Sequence, residues 1–391
     1  MRTKVKLKGG ISLIVLVITI IVMIILAAAI ILSQSNSGII SKANKAKTDS
    51  DTANLKEYVN TLRAEWELMT DAERTASGSI TFEDYANKKL EANGYNVMLS
   101  DDGVLMNEAA TAAVKAGIKV GDTVTGYTLD VATYTTSGEE NTCKIDEYGP
   151  GEEMDPQPQT IATNTDIIWK YLGVNANGDL EIVADLSTTA VDVNTKVTLG
   201  GKGGYLKGPG MLNTICENLY SKDGVGKARS INIDDVNSLL EYVGPKGTYV
   251  DDTDTYITTA TPLTVGEIES KLGKTLSDRT TLDGKDISTY YSNYYYISKT
   301  STDIKNIANI SLVYNAKNTY WLASPCANVI IAYGWIRYFV RCVNFASVDT
   351  SFMFGLDDGL NGGNLAIRPV VTLSSNVKLT PNADKTEWSI N

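Results

Sequence analysis

The chain contains no histidine. Ser-His-Asp and Cys-His catalysis, HExxH metal sites and imidazole acid–base chemistry are therefore excluded at the outset. Four cysteines remain as nucleophiles or ligands: Cys143, Cys216, Cys326 and Cys342. None forms a CxxC pair, which argues against structural zinc. Cys216 lies in MLNTICENLY with Met211, Leu212, Ile215 and Leu219 at helical spacing, the pattern of a buried core residue. Cys326 and Cys342 are open to pairing in an oxidising exterior, but spacing does not fix connectivity. The glycine-rich LGGKGGYLKGPG, 199 to 210, matches neither GxxxxGK[ST] nor GxGxxG and reads as a turn-rich loop. No catalytic set emerges, so the expectation is a protein that is not an enzyme and takes neither metal nor cofactor.

Recognition chemistry is better supplied. Between Thr319 and Leu373, small, aromatic and charged residues mix without a sustained period. Tyr333, Trp335, Tyr338, Phe345, Phe352 and Phe354 offer large contact area at low entropic cost. Asn328, Arg337, Arg341, Asn344, Asp349 and Asp357 offer directional polar contacts. Aromatic anchors with adaptable polar neighbours are what protein-recognition surfaces use. About half of such a set must face inward. The bounding YWLAS and IRPVVTL are strand-like, and rigid ends around an irregular middle suit a binding surface carried on loops. Arg368, before Pro369, reads as structural. Asp357-Asp358 alone is a weak oxygen-ligand signal for calcium. The five tyrosines of TYYSNYYYI, 289 to 297, either cover a sheet or build a binding surface.

The elements that must carry these residues follow from the chain's patterning. From Ile11 to Leu32 there is no charge, and Arg2, Lys4, Lys6 and Lys8 precede the run. Twenty-two helical residues span roughly 33 Å, enough to cross a bilayer, and the basic flank keeps the N-terminus cytoplasmic. A cleaved signal peptide is the rival, with Ala27-Ala28-Ala29 as its cleavage region, but its apolar core is usually shorter. Helical spacing of Ile39, Ile40, Ala43, Ala46, Leu55, Val59, Leu62 and Trp66 extends the helix to about Met69. Residues 71 to 117 read as a helical connector with two short helices closed by glycine. IKVGDTVTGYTLDV alternates like a strand. EYGPGEEMDPQPQT, 147 to 160, reads as an exposed loop. DIIWKYLGVNANGDLEIVAD reads as a hairpin around Asn177-Gly178. NIDDVNSLLEYVG reads as a helix capped by Asn232 or Asp234. The net charge of −11 argues against nucleic-acid partners and anionic lipid surfaces, and suits solubility outside the cell.

Basic residues, then Gly10, then Ile11 opening a long apolar helix, with SGIISKANKAK after it, resemble the N-terminus of type IV pilins and pseudopilins, including clostridial ones. The resemblance implies cleavage by a prepilin peptidase between Gly10 and Ile11, methylation of the new terminus, and packing with other pilin-like subunits through the membrane helix. Major pilins carry Glu at the fifth mature position, where this chain has Val15; the departure implies a minor subunit. The block 319 to 373, with GKARSINIDDVNSLL and VGDTV upstream, resembles a C-type-lectin-like domain of clostridial surface proteins, here 118 to 380. Its signature falls on Trp321, Leu322, Ala323, Ser324, Arg368, Pro369 and Val370. In some relatives this segment is rewritten by a diversity-generating retroelement acting on template adenines, largely in asparagine codons. Such codons cannot become Lys, Glu or Gln, and none of these three occurs from 318 to 377; Trp335 and Met353 would then be fixed positions. The motifs of calcium-dependent sugar binding are absent.

Together these imply an α+β fold: a leader (1–10), a transmembrane and amphipathic helix (11–70), the connector, and a C-type-lectin-like mixed domain. They imply a single-pass protein at the cell membrane or in a filament, its C-terminus outside, binding a variable protein or glycan ligand. The alternative is a structural minor pseudopilin with no ligand role. Formylglycine-generating enzymes share a related fold and use paired cysteines, but no catalytic pattern accompanies Cys326 and Cys342.

Overall fold

The computed structural model describes residues 39–145, 151–185, 196–250, 256–259, 261–273, 286–314, 319–330, 335–355 and 359–391. The apolar run Ile11–Leu32 and the cleavage pair Gly10 and Ile11 lie outside these. Among the described residues no helix is long and apolar enough to cross a membrane. This corrects the expected fold class: the structure is a mixed α/β protein with many strands. The longest helix among the described residues, Ile39–Leu68, carries Lys42, Lys45, Lys47, Asp49, Asp51, Lys56 and Glu57, and charges of that number are prohibitive in hydrocarbon.

The chain divides into two compact units, 1–93 and 94–391. In the first, the helix Phe82–Ala92 begins at Thr81, whose hydroxyl accepts from the Asp84 N–H. A short helix, Asp71–Ala76, starts with a capping box between Thr70 and Glu73. Leu62, Phe82, Tyr85 and Leu90 are buried. The Arg63 guanidinium lies 4.0 Å from the Phe82 ring centroid, and Trp66 meets Tyr85 at 5.4 Å.

The second unit holds two large sheets. One has seven strands in the order Leu379–Pro381, Glu387–Ile390, Thr123–Thr125, Trp169–Val174, Leu180–Ala184, Pro369–Leu373 and Gly226–Ser230. Trp169–Val174 and Leu180–Ala184 pair antiparallel; the turn between them holds Gly178 at φ +85°. The other sheet is built on an antiparallel meander, Tyr320–Ile330, Trp335–Val343 and Ser347–Gly355. Gly362–Ala366 runs parallel to the start of its first strand and antiparallel to Lys196–Gly200. Ile233–Leu240 starts at Asn232, whose side chain accepts from the N–H groups of Asp234 and Asp235.

The helix Gly201–Tyr220 packs on strands of both sheets and absorbs the stretch expected to be a turn-rich loop. Gly201 opens it at φ +62°, while Gly203 and Gly204 permit close approach. A Cβ on Gly203 would stand 2.0 Å from the Glu139 carbonyl oxygen, and one on Gly204 2.9 Å from the Met353 sulfur. Each glycine costs the helix about 1 kcal/mol relative to alanine. Burial of Tyr205, Leu212, Ile215, Cys216 and Leu219 offsets that cost.

Candidate functional site

The segment expected to hold loops is mostly continuous sheet. Its middle strand, WIRYFVRCV, buries apolar side chains on both faces, which erases the period-2 signal a half-buried strand would show. Register sets the faces. Cys326 stands opposite Phe339 and Asn328 opposite Arg337; Phe339 stands opposite Phe352, Arg341 opposite Thr350 and Tyr338 opposite Phe354. Alternation therefore turns Ile336, Tyr338, Val340 and Cys342 to one side and Arg337, Phe339 and Arg341 to the other.

The inner side is core. Tyr338 and Phe354 stack at 4.5 Å and 12°, and Tyr205 of the Gly201–Tyr220 helix meets Tyr338 at 4.9 Å. Both Tyr338 and Phe354 are over nine-tenths buried. They are removed from the binding set and become packing residues.

The outer side carries an aromatic row. Phe339 lies 5.1 Å from Tyr294 and 5.6 Å from Phe352, and Tyr294 lies 5.1 Å from Tyr296. The hydroxyls of Tyr294 and Tyr296 are hydrogen-bonded to each other. Tyr296 is exposed, Tyr294 and Phe352 are half-buried, and Arg337 is half-buried beside them. The tyrosine run and the 319–373 segment thus share one surface. The sequence marks each separately; Phe339, two residues after Arg337, is over nine-tenths buried and supports the row from beneath.

Arg341 is fully buried on this side. Its Nη1 donates to the Tyr295 carbonyl oxygen at 3.1 Å, while Nε and Nη2 have no partner among the described residues. It is a cation held under the surface, not on it, which corrects its expected role as a contact residue. Asn328 is over nine-tenths buried, with Oδ1 unpartnered among the described residues. Asn344 builds the hairpin turn after Val343: its Oδ1 accepts from the Ser347 N–H at 2.9 Å, and its Nδ2 donates to Asp349 Oδ2 at 2.7 Å. Asn344 and Asp349 are thereby committed to the turn, and Phe345 stands at its tip, 54% exposed. Trp335 opens the middle strand. Tyr333 and Asp357 lie outside the described residues.

The signature residues are structural. Trp321 is fully buried and donates through Nε1 to the Val197 carbonyl at 2.8 Å. The Ser324 hydroxyl accepts the Ile233 N–H at 2.9 Å. Arg368 donates from Nε to the Ala184 carbonyl and from Nη1 to the Tyr320 hydroxyl, both at 3.0 Å. Pro369 pairs with Ser230 between the sheet strands.

All four cysteines are free and buried. Cys342 stands opposite Trp321 and Cys326 opposite Phe339, so the two are out of register and unbridged. Burial pushes the Cys326 thiol up to about 11 and that of Cys342 up to about 12, far from a reactive thiolate. Among the described residues no group of three or more Cys, Asp or Glu is arranged to hold a metal. Comparison of the chain with protein-family models, with curated proteins and with solved structures finds no match.

Proposed function

We propose that the chain is a recognition protein that binds an extracellular ligand through the outer side of the meander, with Arg337, Phe352, Tyr294 and Tyr296 as its contact residues. The observation that carries this reading is the row Tyr296–Tyr294–Phe339–Phe352 on sheet, with Tyr296 exposed, Tyr294 and Phe352 half-buried and Phe339 buried beneath them, within and beside a stretch without Lys, Glu or Gln. Aromatic side chains on strands need little ordering on binding. The missing residue types support diversification of this surface by a retroelement, and the N-terminal residues support display as a pilin-like minor subunit.

The test is a binding screen of the full chain against cell-surface proteins and glycans, repeated with Phe352→Ala and Arg337→Ala. Loss of the captured ligand with both variants, while the melting temperature holds, is the expected result; undiminished capture by both overturns the surface assignment. For diversification, the surrounding DNA should hold a reverse transcriptase and a near-copy of the 319–373 coding region differing only at adenines.

A second reading is a structural minor pseudopilin. It is favoured by the burial of Asn328, Tyr338, Arg341 and Phe354, which leaves fewer free contact residues than a dedicated binder would display. Filament assembly lost on deletion of the gene and restored by the Phe352→Ala, Arg337→Ala double variant would favour it.

A further inference from the structure

A separate cleft of about 360 Å³ opens where the first meander strand breaks register between Trp321 and Pro325. Its size lies at the lower end of the range for small-molecule sites. Tyr205 and Tyr290 wall it, their rings 6.2 Å apart at 65°, and Tyr291 stands at its mouth, 60% exposed.

The polar groups of the cleft seek a donor or a positive charge. The Asp234 carboxylate lines it, exposed, and takes part in no hydrogen bond or ion pair among the described residues. Asn293 donates through Nδ2 to the Pro325 carbonyl at 3.3 Å, but its buried Oδ1 has no partner among the described residues. Two neighbouring backbone donors are already used: the Ile233 N–H goes to Ser324, and the Asp234 N–H to Asn232. No lysine or arginine is among the described lining residues. Tyrosine rings at its wall and mouth, a free carboxylate and an orphaned acceptor attract a cation through the ring quadrupoles and the formal charge together.

From this arrangement we infer that the Tyr205–Tyr290–Tyr291 cleft is a binding site for an alkylammonium group. A quaternary ammonium fits the aromatic walls best, because its charge is spread over methyl groups and it needs no hydrogen-bond acceptors. A lysine side chain supplies the same charge on a thinner stem and would in addition use Asn293 Oδ1. The site does not depend on the outer meander surface: Arg337 and Phe352 are not among its lining residues, so their variants leave this measurement intact.

The test is ligand-observed saturation-transfer NMR on the full chain with choline, with its uncharged isostere 3,3-dimethylbutan-1-ol, and with N-acetyl-lysine amide. Choline should show saturable transfer strongest at its N-methyl protons, and the isostere should bind at least about threefold more weakly. Transfer to the lysine derivative exceeding that to choline would assign the ammonium to a peptide source rather than a quaternary one. Tyr291→Phe, which keeps the ring, should bind choline as the parent does. Tyr291→Leu and Asp234→Asn should each weaken it about three- to tenfold. Equal affinity for choline and its isostere, or no saturable transfer from either cation at the highest soluble concentration, overturns the inference. So does loss of binding in Tyr291→Phe, which would mark a hydroxyl-reading site for a neutral ligand.

Discussion

The Nη1 of Arg341 donates to the backbone carbonyl of Tyr295 at 3.1 Å, and its guanidinium carbon lies 4.1 Å from the centroid of the same tyrosine's ring. The tyrosine thus holds the arginine by both backbone and side chain. No carboxylate joins them among the described residues, and two of the guanidinium nitrogens remain unsatisfied. A desolvated cation–π contact is worth about 2 kcal/mol, while burying an unpaired charge costs several kcal/mol. The balance is unfavourable, so Arg341→Met, which keeps the stem and removes the charge, should raise stability by about 1–3 kcal/mol. Urea unfolding checks this; a loss larger than about 1 kcal/mol would show that the charge is compensated in the folded state.

The buried thiols make stability fall at alkaline pH. Cys143 and Cys326 are raised from the ordinary value near 9 to about 11, and Cys342 to about 12, each chiefly by burial. The unfolded chain therefore loses these protons first. Their contribution is complete below about pH 9 and is lost as pH rises toward the folded values, at about 1.4 kcal/mol per unit for each thiol. Melting temperature should hold up to about pH 8.5 and then drop steeply. Cys326→Ala and Cys342→Ala should each flatten the drop between about pH 9 and 11; an unchanged slope in both would mean that other groups cause it. Thiol titration without reductant should count four cysteines after denaturation.

How much of this was readable beforehand depends on whether a residue's role is local. The Asn232 cap and the Asn177-Gly178 turn are set by side chains acting within a few residues, and both are where local chemistry places them. The glycines of 199–210 are ambiguous by composition: the same residue frees a turn or admits a neighbouring backbone, and only the position of Glu139 and Met353 decides. The meander hid for a different reason. Its middle strand is covered on one side by the Gly201–Tyr220 helix and on the other by Tyr294 and Tyr295, and Phe339 between Arg337 and Arg341 breaks the polar face that would have marked the alternation. That same covering is why the tyrosine run, about forty residues earlier in the chain, belongs to the candidate surface, a relationship no local pattern encodes.

The division between the two sides of the meander predicts unequal costs for similar substitutions. Tyr338→Ala and Phe354→Ala remove rings stacked in the core against Tyr205 and should each cost about 3–5 kcal/mol. Phe345→Ala, at the exposed turn tip, should change stability by no more than about 0.5 kcal/mol. Chemical unfolding of the three variants side by side is sufficient. Comparable losses at Phe345 and Tyr338 would mean the faces have been assigned the wrong way round.

Arg229 ties the seven-stranded sheet to the helix Ile233–Leu240. It donates to both oxygens of Asp235, at 2.6 and 2.7 Å, and to Glu181 at 3.0 Å. The two carboxylate side chains are only 11% and 8% exposed. Glu181 also accepts from the Thr372 hydroxyl at 2.8 Å, and Asp235 from the Asn232 N–H at 2.8 Å, so neither can swing to water without abandoning a strand or a cap. Arg229→Met should leave two buried anions uncompensated and cost about 3–5 kcal/mol. Arg229→Lys restores the charge without the planar fork and should recover part of the loss. If the methionine variant unfolds at the parental urea midpoint, the network is not what joins these elements, and the packing of Val236 and Leu240 in the apolar core must hold the helix in place without it.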